Sequence, residues 1–189
     1  MIELESITVK GFKSIASIEK LKLEPINVLV GANGSGKSNF VGVFSFLNSV
    51  REGSLQDYVT KAGGAEKVLH FGSKVTEKIY IHISFQDGQN QYEIDLRPTE
   101  ADELVPRSET VWFWDKARYP RPYSDGLTRT GKEAGISDPR NSRIAKYVRE
   151  HLSRWRLYHF HDTSSSSSMK KLADVNDNHY FRPDGSNLA

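Results

Sequence analysis

Eight consecutive residues, Gly31-Ala32-Asn33-Gly34-Ser35-Gly36-Lys37-Ser38, meet every fixed position of the pattern G-x-x-x-x-G-K-[ST]. Glycines at this spacing let successive backbone N–H groups turn inward around an anion. A helix that starts where the loop ends adds the positive end of its dipole. The residue types then divide the work. Lys37 brings a point charge to the β- and γ-phosphates of a nucleotide and is the candidate catalytic residue. The Ser38 hydroxyl is the candidate Mg²⁺ ligand, and Gly34, Ser35 and Gly36 present the backbone cradle. The cofactors this implies are a nucleoside triphosphate and Mg²⁺. A dinucleotide-binding loop is excluded, because the last glycine of G-x-G-x-x-G falls on Asn39.

Two elements must position the loop. Ile26-Asn27-Val28-Leu29-Val30 reads as a buried strand entering it. Asn39 to Val50 reads as a helix leaving it, with Phe40, Val43, Phe44, Leu47 and Val50 at helical spacing and Val41 and Phe46 widening the stripe. Arg51-Glu52-Gly53 stops that helix.

The remaining chain supplies a scaffold. Ile7-Thr8-Val9 alternates as a strand, and Ser17 to Leu23 as a second. Residues 61–66 read as a loop. Ile79, Ile81, Ile83 and Phe85 form one face of a strand that turns at Asp87-Gly88 and returns through Tyr92, Ile94 and Leu96. Thr110 to Asp115 reads as a third strand of this antiparallel layer. Residues 116–140 read as a long irregular loop. Asp138-Pro139 reads as the start of a helix reaching Ser153, with Ile144, Tyr147, Val148 and Leu152 buried and Arg140, Arg143, Lys146 and Arg149 wet. Trp155 to Phe160 reads as another buried strand. Five serines, Ser164 to Ser168, form a low-complexity tract.

Composition narrows the chemistry further. The 189 residues contain no cysteine, so disulfides, thiolate metal sites and a cysteine nucleophile are excluded. No apolar run approaches a membrane span and no secretory leader opens the chain, which makes the cytoplasm the default location. The net charge of +2 hides a basic block, since Lys116 to Arg156 carries eleven Lys/Arg against four Asp/Glu. Such a block suits a DNA or RNA contact, a protein partner or a plain solvated face.

Beyond the loop, two features sharpen the pattern: the opening strand with Gly11-Phe12-Lys13-Ser14-Ile15, and the β-layer lying between the loop helix and the strand that ends at His161. Together they resemble the N-terminal lobe of an SMC/RecF-like ABC ATPase head. Within that class, residues 64–72, 158–162 and 183–188 resemble the AAA-type ATPases of bacterial anti-phage systems of the Septu type, sometimes found beside a retron. The resemblance implies an α/β P-loop NTPase fold with an inserted antiparallel β-layer and a C-terminal lobe lying outside this chain. It divides the chain into a nucleotide-binding core (1–60), an inserted β-layer with basic loop and helix (61–160), and a Q-loop-like linker (161–189). Asn33 matches the loop residue that points toward the γ-phosphate, and Lys13 and Ser14 match positions approaching phosphate and ribose. Asn39 extends the cofactor-binding set. Where the class places a Q-loop glutamine near Mg²⁺, this sequence has His161 and Asp162, which are candidate metal-side residues.

The sequence holds no acidic Walker B pair, no catalytic glutamate and no Leu-Ser-Gly-Gly-type signature. Three functions fit these residues. One is an ATPase head whose ATP-driven dimerisation, as a homodimer or higher oligomer, gates a DNA-directed activity or a nuclease subunit. Another is a scaffold that binds ATP without turnover. The third is the head of a Toprim nuclease of the overcoming-lysogenisation-defect type.

Overall fold

The computed structural model describes residues 4–157. Two compact units are present, one ending at Ser153 and one beginning at Arg154, and the regular elements of the described residues lie in the first. Its strands are β1 (Leu4–Phe12), β2 (Ile15–Lys22), β3 (Ile79–Phe85), β4 (Asn90–Pro98), β5 (Leu104–Phe113) and β6 (Tyr123–Gly126). They form one sheet in the order β2-β1-β3-β4-β5-β6, antiparallel at every pairing. The helices are α1 (Lys37–Glu52), α2 (Leu55–Ala62), the single turn α3 (Ala65–Val68) and α4 (Arg143–Leu152).

Alternation along the strands selects the face that is buried. Ile7 pairs Ile83, Ile83 pairs Tyr92 and Tyr92 pairs Val111, so one apolar row crosses four strands. All four side chains are fully buried. Each such aliphatic residue contributes about 1.5–3 kcal/mol through burial. The helices cover this face: Phe46 of α1 meets Phe12 of β1 with ring centroids 5.2 Å apart, and α4 sets His151 4.9 Å from Phe85. The opposite face carries Thr8, Lys10, Tyr80, His82, Gln91, Glu93 and Trp112 around a shallow depression. Because β1 and β2 share this sheet with β3 to β6, the strands before the loop and those after it form one layer.

Several expectations need correction. The segment Ile26–Val30 is not a strand, and Ile26, Val28 and Val30 are 84%, 79% and 89% exposed. A run apolar on both faces needs strand neighbours on both sides, and none of the described strands pairs with it. Residues 61–66 are not simply a loop, since they hold the end of α2 and the start of α3. Helix α2 itself lay unread; its Leu55 and Val59 are buried, and Tyr58 packs on Phe46 at 5.0 Å.

The expected irregular loop 116–140 is partly regular, with β6 on β5 and a 3-10 turn at Gly135–Ser137. Asp138 does not cap a helix. It accepts the Arg140 amide at 2.9 Å within a turn, and α4 starts later under Ser142, whose hydroxyl accepts the Ile144 amide at 3.1 Å. This shifts the buried stripe to Ala145, Val148, His151 and Leu152, leaving Tyr147 exposed. Arg149 is not wet; its guanidinium donates to the carbonyls of Ile136 (3.2 Å) and Asp138 (3.0 Å). Of the expected strand Trp155 to Phe160, residues 155–157 carry no strand pairing and the rest lies outside the described residues, as does the serine tract. Among the described residues no helix is long and apolar enough to cross a membrane.

Candidate functional site

The loop 31–38 gains its shape from two glycines. Gly34 and Gly36 have φ of 84° and 92°, left-handed values that cost any residue with a Cβ about 1–2 kcal/mol. No heavy atom lies within 4 Å of where a Gly34 Cβ would sit, so the backbone faces open space there. The Ser35 amide donates to the Ala32 carbonyl at 3.2 Å, closing the turn, and the Phe40 amide makes the first helical bond to Gly36 at 2.9 Å.

Helix α1 therefore begins at the loop with its leading N–H groups uncommitted to helix carbonyls. No side chain caps this end, and no acidic residue sits in its first turn. The Lys37 ammonium folds back over the loop, donating to the carbonyls of Gly31 and Ala32 at 2.7 Å each and to Ser35 Oγ at 3.3 Å. A cation resting on the loop's own carbonyl oxygens and an uncapped helix start with no acidic residue in its first turn make a candidate anion seat. The residues present fit a polyphosphate.

The β1–β2 turn is brought against the same helix end. Lys13 takes φ 48°, its amide donates to Val68 at 2.8 Å, and this carries Ser14 alongside α1. Asn39 then donates from Nδ2 to Ser14 Oγ at 2.7 Å. The Lys13 ammonium lies elsewhere, 5.5 Å over both the Phe12 and Tyr58 rings. The backbone of Asn33 and the side chains of Ser35 and Ser38 are exposed. The structure thus gathers Gly34, Ser35, Gly36, Lys37, Ser38, Asn39 and Ser14, and sets Lys13 beside them. His161 and Asp162 lie outside the described residues. Among those described, no group of three or more His, Cys, Asp or Glu side chains gathers to hold a metal ion.

Beside Asn39 opens a cavity of about 640 Å³, lined by Lys13, Asn39, Glu66, Lys67, Phe71 and Gly72 among others. Sequence reasoning passed over Glu66, Lys67 and Phe71 as site residues. The signal available was the dipeptide Phe71-Gly72, an aromatic at a turn. Hydrogen bonds from the Ser73 hydroxyl and amide hold the Glu66 carboxyl below its ordinary value.

Comparison with known proteins identifies the family to which the chain belongs. The family described as "AAA domain, putative AbiEii toxin, Type IV TA system" matches residues 26–188. The chromosome partition protein Smc of Mycolicibacterium paratuberculosis is 35% identical over 130 residues, covering 56% of this chain and 11% of that protein. Smc of Desulfitobacterium hafniense is 32% identical over 113 residues, covering 49% and 9%. Structural maintenance of chromosomes protein 3 of Caenorhabditis elegans is 25% identical over 193 residues, covering 92% and 14%. The chain therefore spans about a tenth of the length of the curated relatives it matches. With a phosphate-loop motif at the head of α1, an antiparallel sheet backed by helices and a family match over most of its length, the chain belongs to this AAA family, a mixed α/β P-loop ATPase domain related to the SMC chromosome-partition ATPases.

Proposed function

We propose that this chain is the nucleotide-binding lobe of an SMC/RecF-like ABC ATPase head, holding Mg-ATP on residues 31–39. The observation that carries this reading is the uncapped start of α1 beneath two left-handed glycines, with the Lys37 ammonium poised over the loop carbonyls. Bound Mg-ATP supplies a phosphoanhydride whose cleavage can drive a conformational cycle. The chain's own part is to bind and orient. Backbone N–H groups of the loop and α1 would donate to phosphate oxygens, Lys37 would bring its ammonium charge to them, and Ser38 would offer its hydroxyl to the metal. Asn39 and Ser14, already bonded to each other, fix the side of the cradle.

The larger role rests on kinship. Relatives named for chromosome partition support a head that dimerises on ATP, and a family described by a toxin–antitoxin system supports a place in bacterial defence. On this reading head dimerisation gates a DNA-directed or nuclease activity, as proposed also by the resemblance to Septu-type anti-phage ATPases. Calorimetric titration with a non-hydrolysable ATP analogue and Mg²⁺ tests the core of the proposal. The chain binds, and Lys37→Ala loses binding while its melting temperature stays put, because Lys37 serves a loop and buries no core. Unchanged affinity in the variant would contradict it.

A further inference from the structure

Among the described residues, Phe71 is the one large aromatic side chain that is both strained and exposed. Its φ is +56°, a region that bulky residues avoid at a cost of about 1–2 kcal/mol, and 79% of it faces solvent. Burial of the ring does not offset that cost, so the conformation is imposed by its neighbours. On one side the His70 amide donates to the Gly11 carbonyl at 3.0 Å, and His70 Nδ1 lies 2.8 Å from the Lys13 carbonyl. Leu69 forms an isolated antiparallel bridge with Phe12. On the other side Glu66 closes the turn by accepting from the amide and hydroxyl of Ser73. The Phe71 ring leans on the fixed His70 imidazole, centroids 4.4 Å apart. Local strain held by a surrounding network is a mark of functional placement.

The ring also stands in a particular place. It lines the 640 Å³ cavity whose wall includes Asn39, and Asn39 belongs to the first turn of α1, at the mouth of the phosphate cradle. Lys13 and Lys67 line the same cavity. An exposed, rigidly held aromatic face, in a depression that reaches Asn39 just past the loop, fits a ligand that is anionic at one end and a flat heterocycle at the other. We propose that Phe71 is the stacking platform for the base of the nucleotide, with the His70 ring behind it as a buttress. The inference rests on the nucleotide reading above and adds a base-binding residue to it. Stacking has no hydrogen-bond code, so Phe71 strengthens purine nucleotides generally and does not by itself separate ATP from GTP.

The test compares ATP with inorganic tripolyphosphate, both with Mg²⁺, on the full 189-residue chain. Phe71→Ala weakens ATP about tenfold or more, the scale of one lost base–aromatic stack, and leaves tripolyphosphate affinity unchanged. Phe71→Trp restores ATP affinity. Phe71→Gly, which relieves the left-handed strain, melts no lower than the wild type yet shares the ATP defect. Equal ATP affinity in wild type and Phe71→Ala overturns the inference and leaves the phosphate cradle standing. So does an equal loss for both ligands, or a Phe71→Ala chain that binds ATP normally but no longer self-associates, which would make the ring a protein contact. A wild-type chain that binds neither ligand overturns the cradle and the platform together.

Discussion

At the scale of single residues, Glu109 is a second organiser of the chain, remote in character from Lys37. It sits on the inward face of β5, opposite Ile94, and is 5% exposed. Its carboxylate accepts the Tyr92 hydroxyl at 2.8 Å and the amides of Gly135 (2.6 Å) and Ile136 (2.8 Å), tying the 3-10 turn to the sheet. Glu109→Ala leaves three buried donors without an acceptor and should cost about 3 kcal/mol, read by urea denaturation. Burial pushes the Glu109 carboxyl up from its ordinary value, although its three donors pull the other way. With the folded value above the unfolded one, the folded state binds the extra proton, so this group's contribution is full below the unfolded value and declines as pH rises toward the folded one. Glu109→Gln does not titrate, and its deficit against wild type should therefore be larger near pH 4 than near pH 7. A deficit that grows with pH would mean that the three donors outweigh the burial. The strand reading that began at Thr110 stopped one residue short of Glu109; carrying the alternation back from Val111 would have placed it inward. Lys37 was legible because a motif encodes it. Phe71 was legible only as an aromatic before a turn glycine, since its left-handed φ and its exposure are set by contacts distant in sequence.

Elements were legible where one face is apolar and the period is clean. Strands β3 and β4 and helix α1 fit their expected spans to within about two residues at most ends, since alternation and the 3.6-residue stripe are set by burial. Boundaries governed by caps were not. Asp138-Pro139 has the right residue types to open a helix, but Asp138 is engaged with Arg140, which holds its carboxyl down to about 2, and Ser142 takes the cap. Ser142→Ala should cost about 1 kcal/mol by thermal or chemical denaturation, whereas an equal or greater loss from Asp138→Ala would return the helix start to Asp138. The segment 26–30 failed for the opposite reason. Its apolar run describes a strand with partners on both sides, and no described strand supplies them. Hydrogen exchange on this chain should show the amides of 27–32 exchanging near intrinsic rates while those of β3 and β4 stay protected. Protection across 27–32 would place a partner strand beside them.

At the scale of the molecule, the basic block is less free than its charge suggested. Lys116 pairs with Asp87 at 2.9 Å, Lys132 with Glu103 at 2.6 Å and Arg140 with Asp138 at 2.8 Å, while Arg149 holds backbone carbonyls. The block also does structural work: Glu133 accepts the amides of Leu55 (2.8 Å) and Gln56 (3.1 Å), capping α2 from 77 to 78 residues away in sequence. These ties take up part of the charge a nucleic-acid contact would use, and we propose that the block faces a protein partner. Replacing Arg118, Arg121 and Arg129 with Ala should then disturb self-association more than DNA or RNA affinity measured at two salt concentrations; a lost, salt-dependent nucleic-acid affinity with assembly intact would reverse that assignment. The central claim is that residues 31–39 hold the nucleotide's phosphates. The most direct measurement is amide NMR of the ¹⁵N-labelled chain titrated with a non-hydrolysable ATP analogue and Mg²⁺. Large shifts are expected at Gly34, Gly36, Lys37, Ser38 and Asn39, with Gly126 and Gly131 unmoved. Shifts confined to the outer sheet face around His82 and Trp112, with the loop silent, would contradict it.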